Sequence, residues 1–159
     1  QLYGKNNPSP NKYEYSISAW YYINPQPTST SAAYSKYTPI LKYGDKPVVE
    51  YNGSKNSIRV MCNSGENSLV KIAEIDTNQK WNQIVINYDG ANMDIFINGI
   101  LVGSHPNIAP YMRFDDVITG EDNGIHGGIC NVVYNNKIRS KGNINLSYNT
   151  LKSKNPPIF

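Results

Sequence analysis

Apolar and polar residues alternate along most of the chain with a period of two, the spacing of a strand that buries one face. In YSISAWYYI, residues 15–23, Tyr15, Ile17, Ala19 and Tyr21 fall on one face, and Ser16, Ser18, Trp20 and Tyr22 on the other. In WNQIVINYDGANMDIFINGILVGS, residues 81–104, Ile84, Ile86 and Tyr88 share a face, as do Met93, Ile95 and Ile97. DGAN, residues 89–92, joins those two segments. Asn98-Gly99 then supplies the pair that a tight hairpin requires, because both central positions tolerate positive φ. The three segments predict a meander whose apolar face packs on a second sheet. The stretch is read as scaffold, with function to be sought in the loops around it.

Further short strands are predicted at ILKYG (40–44), 47–51, 57–62, 70–75, 116–119 and ICNVVYN (129–135), with turn signals at Asn52-Gly53 and Ser64-Gly65. Strands and turns at this spacing point to a sandwich or barrel, not to alternating strand-helix units. NPQPTSTSAAYSKYTP, residues 24–39, reads as a long loop, and a second loop takes in His105 and residues 106–112. SKGNINLSYNTL, residues 140–151, is the one modest helix candidate, limited to one or two turns because Asn and Gly are poor helix formers. The pattern predicts an all-β, two-sheet antiparallel jelly-roll sandwich. Residues 1–12 form an extended arm or linker, 13–151 the sandwich, and 152–159 an extended tail.

At 159 residues the chain is long enough for one domain with a sizeable core. The net charge of +3 is spread thinly, apart from loose groups at Lys137, Arg139 and Lys141 and at Lys152 and Lys154. A nucleic-acid partner calls for a concentrated basic stripe with interleaved aromatics, so a solvated surface is the reading adopted. The 22 Asn residues reflect an AT-rich coding composition as readily as any function. Cys62 and Cys130 lack paired ligand spacing and read as buried free thiols, with pairing across two strands left open. His105 and His126 also lack metal-site spacing. No apolar run reaches the roughly 18 residues of a membrane span. The chain begins with Gln1, so the expectation is a processed product or part of a longer protein, with any anchor upstream.

The order of YSISAWYYI, ILKYG, WNQIVINYDG, MDIFINGILVG (93–103) and ITGEDNGIHGGICNVVYNNKI (118–138) resembles the concanavalin A-like lectin/glucanase superfamily, in particular its laminin G-like branch. The resemblance covers about residues 13–151. It is closest to versions in large DNA viruses of algae and protists, which carry a similar proline- and hydroxyl-rich loop and similar NIAPYM and NPP segments. It implies two curved antiparallel sheets with function on edge loops or on the concave face. The viral likeness also implies a virion component, capsid-associated or on the particle surface. Outside a virus, an extracellular or cell-surface location follows.

The superfamily includes glucanases, which raises the question of a catalytic pair. Retaining glycosidases need two carboxyl groups about 5 Å apart. Glu74 and Asp76 share a strand face, but Asn78 and Gln79 follow, and an amide cannot protonate a leaving oxygen. No enzyme is expected. No cofactor is expected either, with calcium as the one candidate: Glu121, Asp122 and Asn123 offer oxygen ligands, although an Asx turn accounts for the same run. Tyr34, Tyr37, Tyr111, Arg113, Asp122, Asn123 and His126 occupy loop-like positions suited to the rim of a glycan site. The leading expectation is a non-catalytic structural module contacting other proteins of an assembly, and the alternative a lectin-like domain binding glycans. Apolar Ile158 and Phe159 on an otherwise polar tail would gain from burial, in a partner or on their own domain.

Overall fold

The computed structural model describes residues 13–28, 31–63, 69–77, 79–108, 114–120 and 124–159, with positions 69, 70 and 72 described by backbone alone. Ten strands form two five-stranded antiparallel sheets. Sheet I runs β10 (Gly127–Asn135), β1 (Tyr15–Ile23), β6 (Asn82–Tyr88), β7 (Asn92–Ile97), β8 (Ile100–Pro106). Sheet II runs β5 (Leu69–Asp76), β4 (Ser57–Asn63), β3 (Val48–Asn52), β2 (Thr38–Tyr43), β9 (Val117–Thr119).

Between the sheets lies the core that the alternation predicts. β1 contributes Tyr15, Ile17, Ala19, Tyr21 and Ile23, and β6 contributes Ile84, Ile86 and Tyr88. Sheet II faces them with Leu41, Tyr43, Val49, Tyr51, Ile58, Val60 and Cys62. Tyrosines from both sheets meet at one end: Tyr15 packs against Tyr13, Tyr43, Tyr88 and Tyr134 with ring centroids 5.4 to 6.0 Å apart. Lys46 enters this end fully buried, with Nζ 3.2 Å from the Asp115 carboxylate and 5.2 Å from the centre of the Tyr43 ring. Pairing and a ring face supply what burial of an ammonium demands.

The turn after β7 is the tight hairpin foreseen, with φ of 52° at Asn98 and 82° at Gly99. The positive φ favours glycine at 99, and a Cβ there would also force the Asn145 side chain to shift.

Two helices go beyond the sequence reading. α1 (Ala32–Ser35) is one turn within the loop of residues 24–39, seated by buried Ala33. α2 (Lys141–Leu151) has 11 residues, about three turns rather than one or two. Ser140 caps it by accepting from the Asn143 amide, and Ile144 packs on Val85 and Phe96 from the outer face of sheet I. Burial of one face outweighs poor propensity. β8 runs to Pro106, which puts His105 in a strand rather than a loop. Both cysteines are free. Cys62 lies in the core, whereas Cys130 lies beside the tail, where Sγ is 3.5 Å from the Pro157 carbonyl.

Candidate functional site

α2 and the tail cover part of the outer face of sheet I, and this explains why β1 is buried on both faces. On that outer face Ser18, Trp20 and Tyr22 follow one another along β1. Trp20 is fully covered, because Tyr148 of α2 stacks on it at 5.7 Å with 13° between the rings. The tail then turns back: the Trp81 indole N–H donates to Asn155 Oδ1 at 2.8 Å, and Pro157 is buried.

These contacts leave a cleft of about 410 Å³ between the sheet, α2 and the tail. Its aromatic walls are Tyr22, Trp81 and Tyr148, with the Tyr22 and Trp81 rings tilted 54° to each other at 5.9 Å. Gln79 and Asn155 add amides, and Lys80, Lys152 and Lys154 add ammonium groups. No carboxylate lines the cleft or pairs with these lysines among the described residues. Lys152 instead lies 5.5 Å from the centre of the Tyr148 ring and donates to Asn149 Oδ1. Gly128 forms part of the support: a Cβ there would lie 3.2 Å from the Trp81 ring, so glycine lets the indole sit against β10.

The residues singled out from sequence are distributed differently. Tyr34 is half-buried and lines a separate cavity of about 190 Å³ with Gln26, Tyr51 and Asn56, which meets the cleft at Gln79. His126 is near that cavity and exposed. Its main chain is tied to Gln26, whose Nε2 donates to the His126 carbonyl and whose Oε1 accepts from the His126 amide, each at 3.0 Å. Tyr37 is elsewhere, on the outer face of sheet II. Its hydroxyl donates to Glu74, and the Arg59 guanidinium lies 3.8 Å over its ring. Tyr111, Arg113, Glu121, Asp122 and Asn123 lie outside the described residues, so the calcium candidate lies there too.

Glu74 belongs to the same lattice. Hydrogen bonds from Tyr37 and Lys71 pull its carboxyl down to about 2. Asp76, two residues on, is exposed. Glu74 therefore stays ionised at neutral pH and cannot supply the proton a leaving oxygen needs.

Trp81, Tyr148, Lys152 and Asn155 were not among the expected site residues. One signal was present: β1 carries aromatics on the face opposite its core face. Trp81 opens the stretch read as scaffold, and only the return of the tail turns it into a wall.

Two antiparallel sheets packed face to face with a capping helix define an all-β lectin-type sandwich. The chain belongs to the concanavalin A-like lectin/glucanases superfamily, whose laminin G-type profile matches residues 4–145. No curated protein matches the sequence. Among solved structures it is similar to the binding domain of botulinum neurotoxin DC in complex with SialylT. That match has 20% identity and a TM-score of 0.68, and covers 89% of this chain and 36% of that one. The botulinum neurotoxin type G receptor-binding domain is similar at 17% identity and a TM-score of 0.66, over 87% and 38% of the two chains. A structure of the DC binding domain with rat synaptotagmin II matches at 21% identity and a TM-score of 0.66, over 90% and 37%. The chain thus spans just over a third of the structures it matches, and at these identities they establish the fold.

Proposed function

We propose that the protein is a non-catalytic carbohydrate-binding module whose contact surface is the Trp81 cleft. The observation that carries this reading is the composition of that cleft. Aromatic faces offer apolar platforms for the C–H faces of a sugar, while the Gln79 and Asn155 amides reach hydroxyl groups. Three lysines without carboxylate partners among the described residues bias the cleft toward anionic glycans and make binding weaken with salt. The commitment of Glu74 to Tyr37 and Lys71 supports a non-catalytic role. One similar neurotoxin binding domain is seen in complex with SialylT, and cell entry of botulinum neurotoxin type C, whose structure is also similar, depends on interaction with two ganglioside molecules; both are in keeping with a binding role.

A glycan array tests the reading. The intact chain binds one or more anionic glycans, and Trp81→Ala, with an unchanged circular dichroism spectrum, loses that binding. Absence of binding across a broad array, or full binding by Trp81→Ala, contradicts it.

A second reading, a structural component of a virion or other assembly, is favoured by the tail. Ile158 is 47% exposed and Phe159 84% exposed, beside the buried Pro157. In that case Phe159→Ser releases the chain from its particle, and unchanged incorporation of the variant removes the reading.

A further inference from the structure

A second pocket lies on the outer face of sheet I, beyond the stacked Trp20 and Tyr148. It encloses about 200 Å³, and its walls include Ser18, Gln83, Asn131, Arg139 and Ser147, with exposed Phe159 at the rim. Such a volume is below the ~300 Å³ at which drug-sized pockets begin, and suits one small molecule or one terminal sugar.

Arg139 is the charge in this pocket. Its contacts there are long ones, Nη1 to Ser18 Oγ at 3.5 Å and Nη2 to the Asn143 carbonyl at 3.4 Å. No carboxylate pairs with it among the described residues. Partial burial lowers the guanidinium's affinity for its proton. The backbone of Arg139 is clamped from both sides by Asn87, whose Oδ1 accepts from the amide at 3.1 Å and whose Nδ2 donates to the carbonyl at 2.8 Å.

The walls are equally specific. The Gln83 amide donates from Nε2 to Ser147 at 3.1 Å, while its Oε1 is buried without a donor. β10 departs from regular register against β1 between Ser18 and Trp20, where Asn131 takes a φ of 51°. A bulge of this kind re-aims side chains, and here Asn131 becomes part of the pocket wall. A fork of N–H donors held only by two long hydrogen bonds to neutral oxygens calls for a planar anion, and the surrounding amides and hydroxyls call for a ligand that also carries hydroxyl groups.

We propose that this pocket binds a small hydroxylated carboxylate, the class that includes acidic sugars, with the Arg139 guanidinium on the carboxylate and the Gln83 amide oxygen accepting from a ligand hydroxyl. The site is separate from the Trp81 cleft and does not depend on the reading of that cleft.

The test is a titration of the intact chain, followed by NMR of the Arg139 Nε–H and the Gln83 side-chain amide, with glucuronate, glucose and acetate as probes. Glucuronate shifts both signals saturably. Glucose, which lacks the carboxylate, does so at least about tenfold more weakly, since a hydrogen bond to a charged group is worth more than a tenfold change. Acetate, which lacks the hydroxyl groups, leaves the Gln83 signal in place and binds more weakly than glucuronate. Arg139→Gln abolishes the effect. Arg139→Lys keeps the charge but not the fork and binds with intermediate strength, which separates ligand recognition from loss of fold. Trp81→Ala, which disables the cleft, leaves glucuronate binding here intact. The proposal is overturned if glucuronate leaves both signals unmoved, if glucose or acetate matches it, or if a folded Arg139→Gln still binds.

Discussion

Tyr37 and Trp81 are both aromatic, both near strand ends, and opposite in what surrounds them. The Tyr37 ring is covered by Arg59, and its hydroxyl serves Glu74, so it is spent on holding sheet II together. Trp81 donates once, to Asn155, and leaves its ring as a cleft wall. Sequence distinguishes neither case, because the covering groups come from other strands or from the tail. Tyr37→Phe removes the largest influence on Glu74, and the carboxyl then titrates well above 2 by NMR, toward the ordinary Glu value of about 4.3. The sign follows from linkage. A carboxyl depressed in the folded state favours folding above its unfolded pKa, and that contribution is lost as pH falls through its folded pKa. The Tyr37→Phe variant therefore loses less stability than the parent between about pH 4.3 and 2. An unmoved Glu74 titration contradicts this account.

At the scale of elements, the strands were largely legible because period-two alternation is a local signal. β1 and the β6–β7–β8 meander lie where the pattern put them, and the Asn98-Gly99 turn takes the positive φ its residues allow. α2 was underestimated for a physical reason. Gly142 and three asparagines weaken the isolated helix, and its stability comes from Ile144 and Tyr148 meeting a sheet face far away in sequence, with Leu151 also buried. Ile144→Ala is accordingly expected to cost about 2–5 kcal/mol in chemical denaturation, the range for emptying a buried Ile site. Because α2 also carries Tyr148, the same variant weakens glycan binding at temperatures where the sandwich is still folded. A loss below 0.5 kcal/mol would mean that α2 is not held by this contact.

Across the whole molecule, tyrosine hydroxyls buried toward both ends of β1 resist ionisation. Burial pushes Tyr21 and Tyr88 up to about 12, and Tyr15 well above its ordinary value of 10. A folded pKa above the unfolded one stabilises fully below the unfolded value and ceases to do so as pH rises through the folded one. Stability measured by denaturant is therefore expected to be level up to about pH 10 and to fall steeply between 10 and 12. A flat profile to pH 12 would contradict the burial of these hydroxyls. The candidate site was less legible than the fold because it is a whole-molecule property: β1, the start of β6, α2 and the tail each supply one wall. Loop position, the guide available from sequence, led to Tyr34 and His126, which share the neighbouring end, and to Tyr37, which does not.

The central claim is that ligands meet the protein at Trp81. The two tryptophans make this directly measurable, since Trp20 is 1% exposed with its indole N–H buried, while Trp81 lines the cleft. In a titration with an array-selected anionic glycan, the Trp81 indole N–H resonance shifts saturably and the Trp20 resonance stays in place. A bound glycan that leaves the Trp81 signal unmoved, or that shifts residues around Tyr34 and His126 instead, would contradict the assignment.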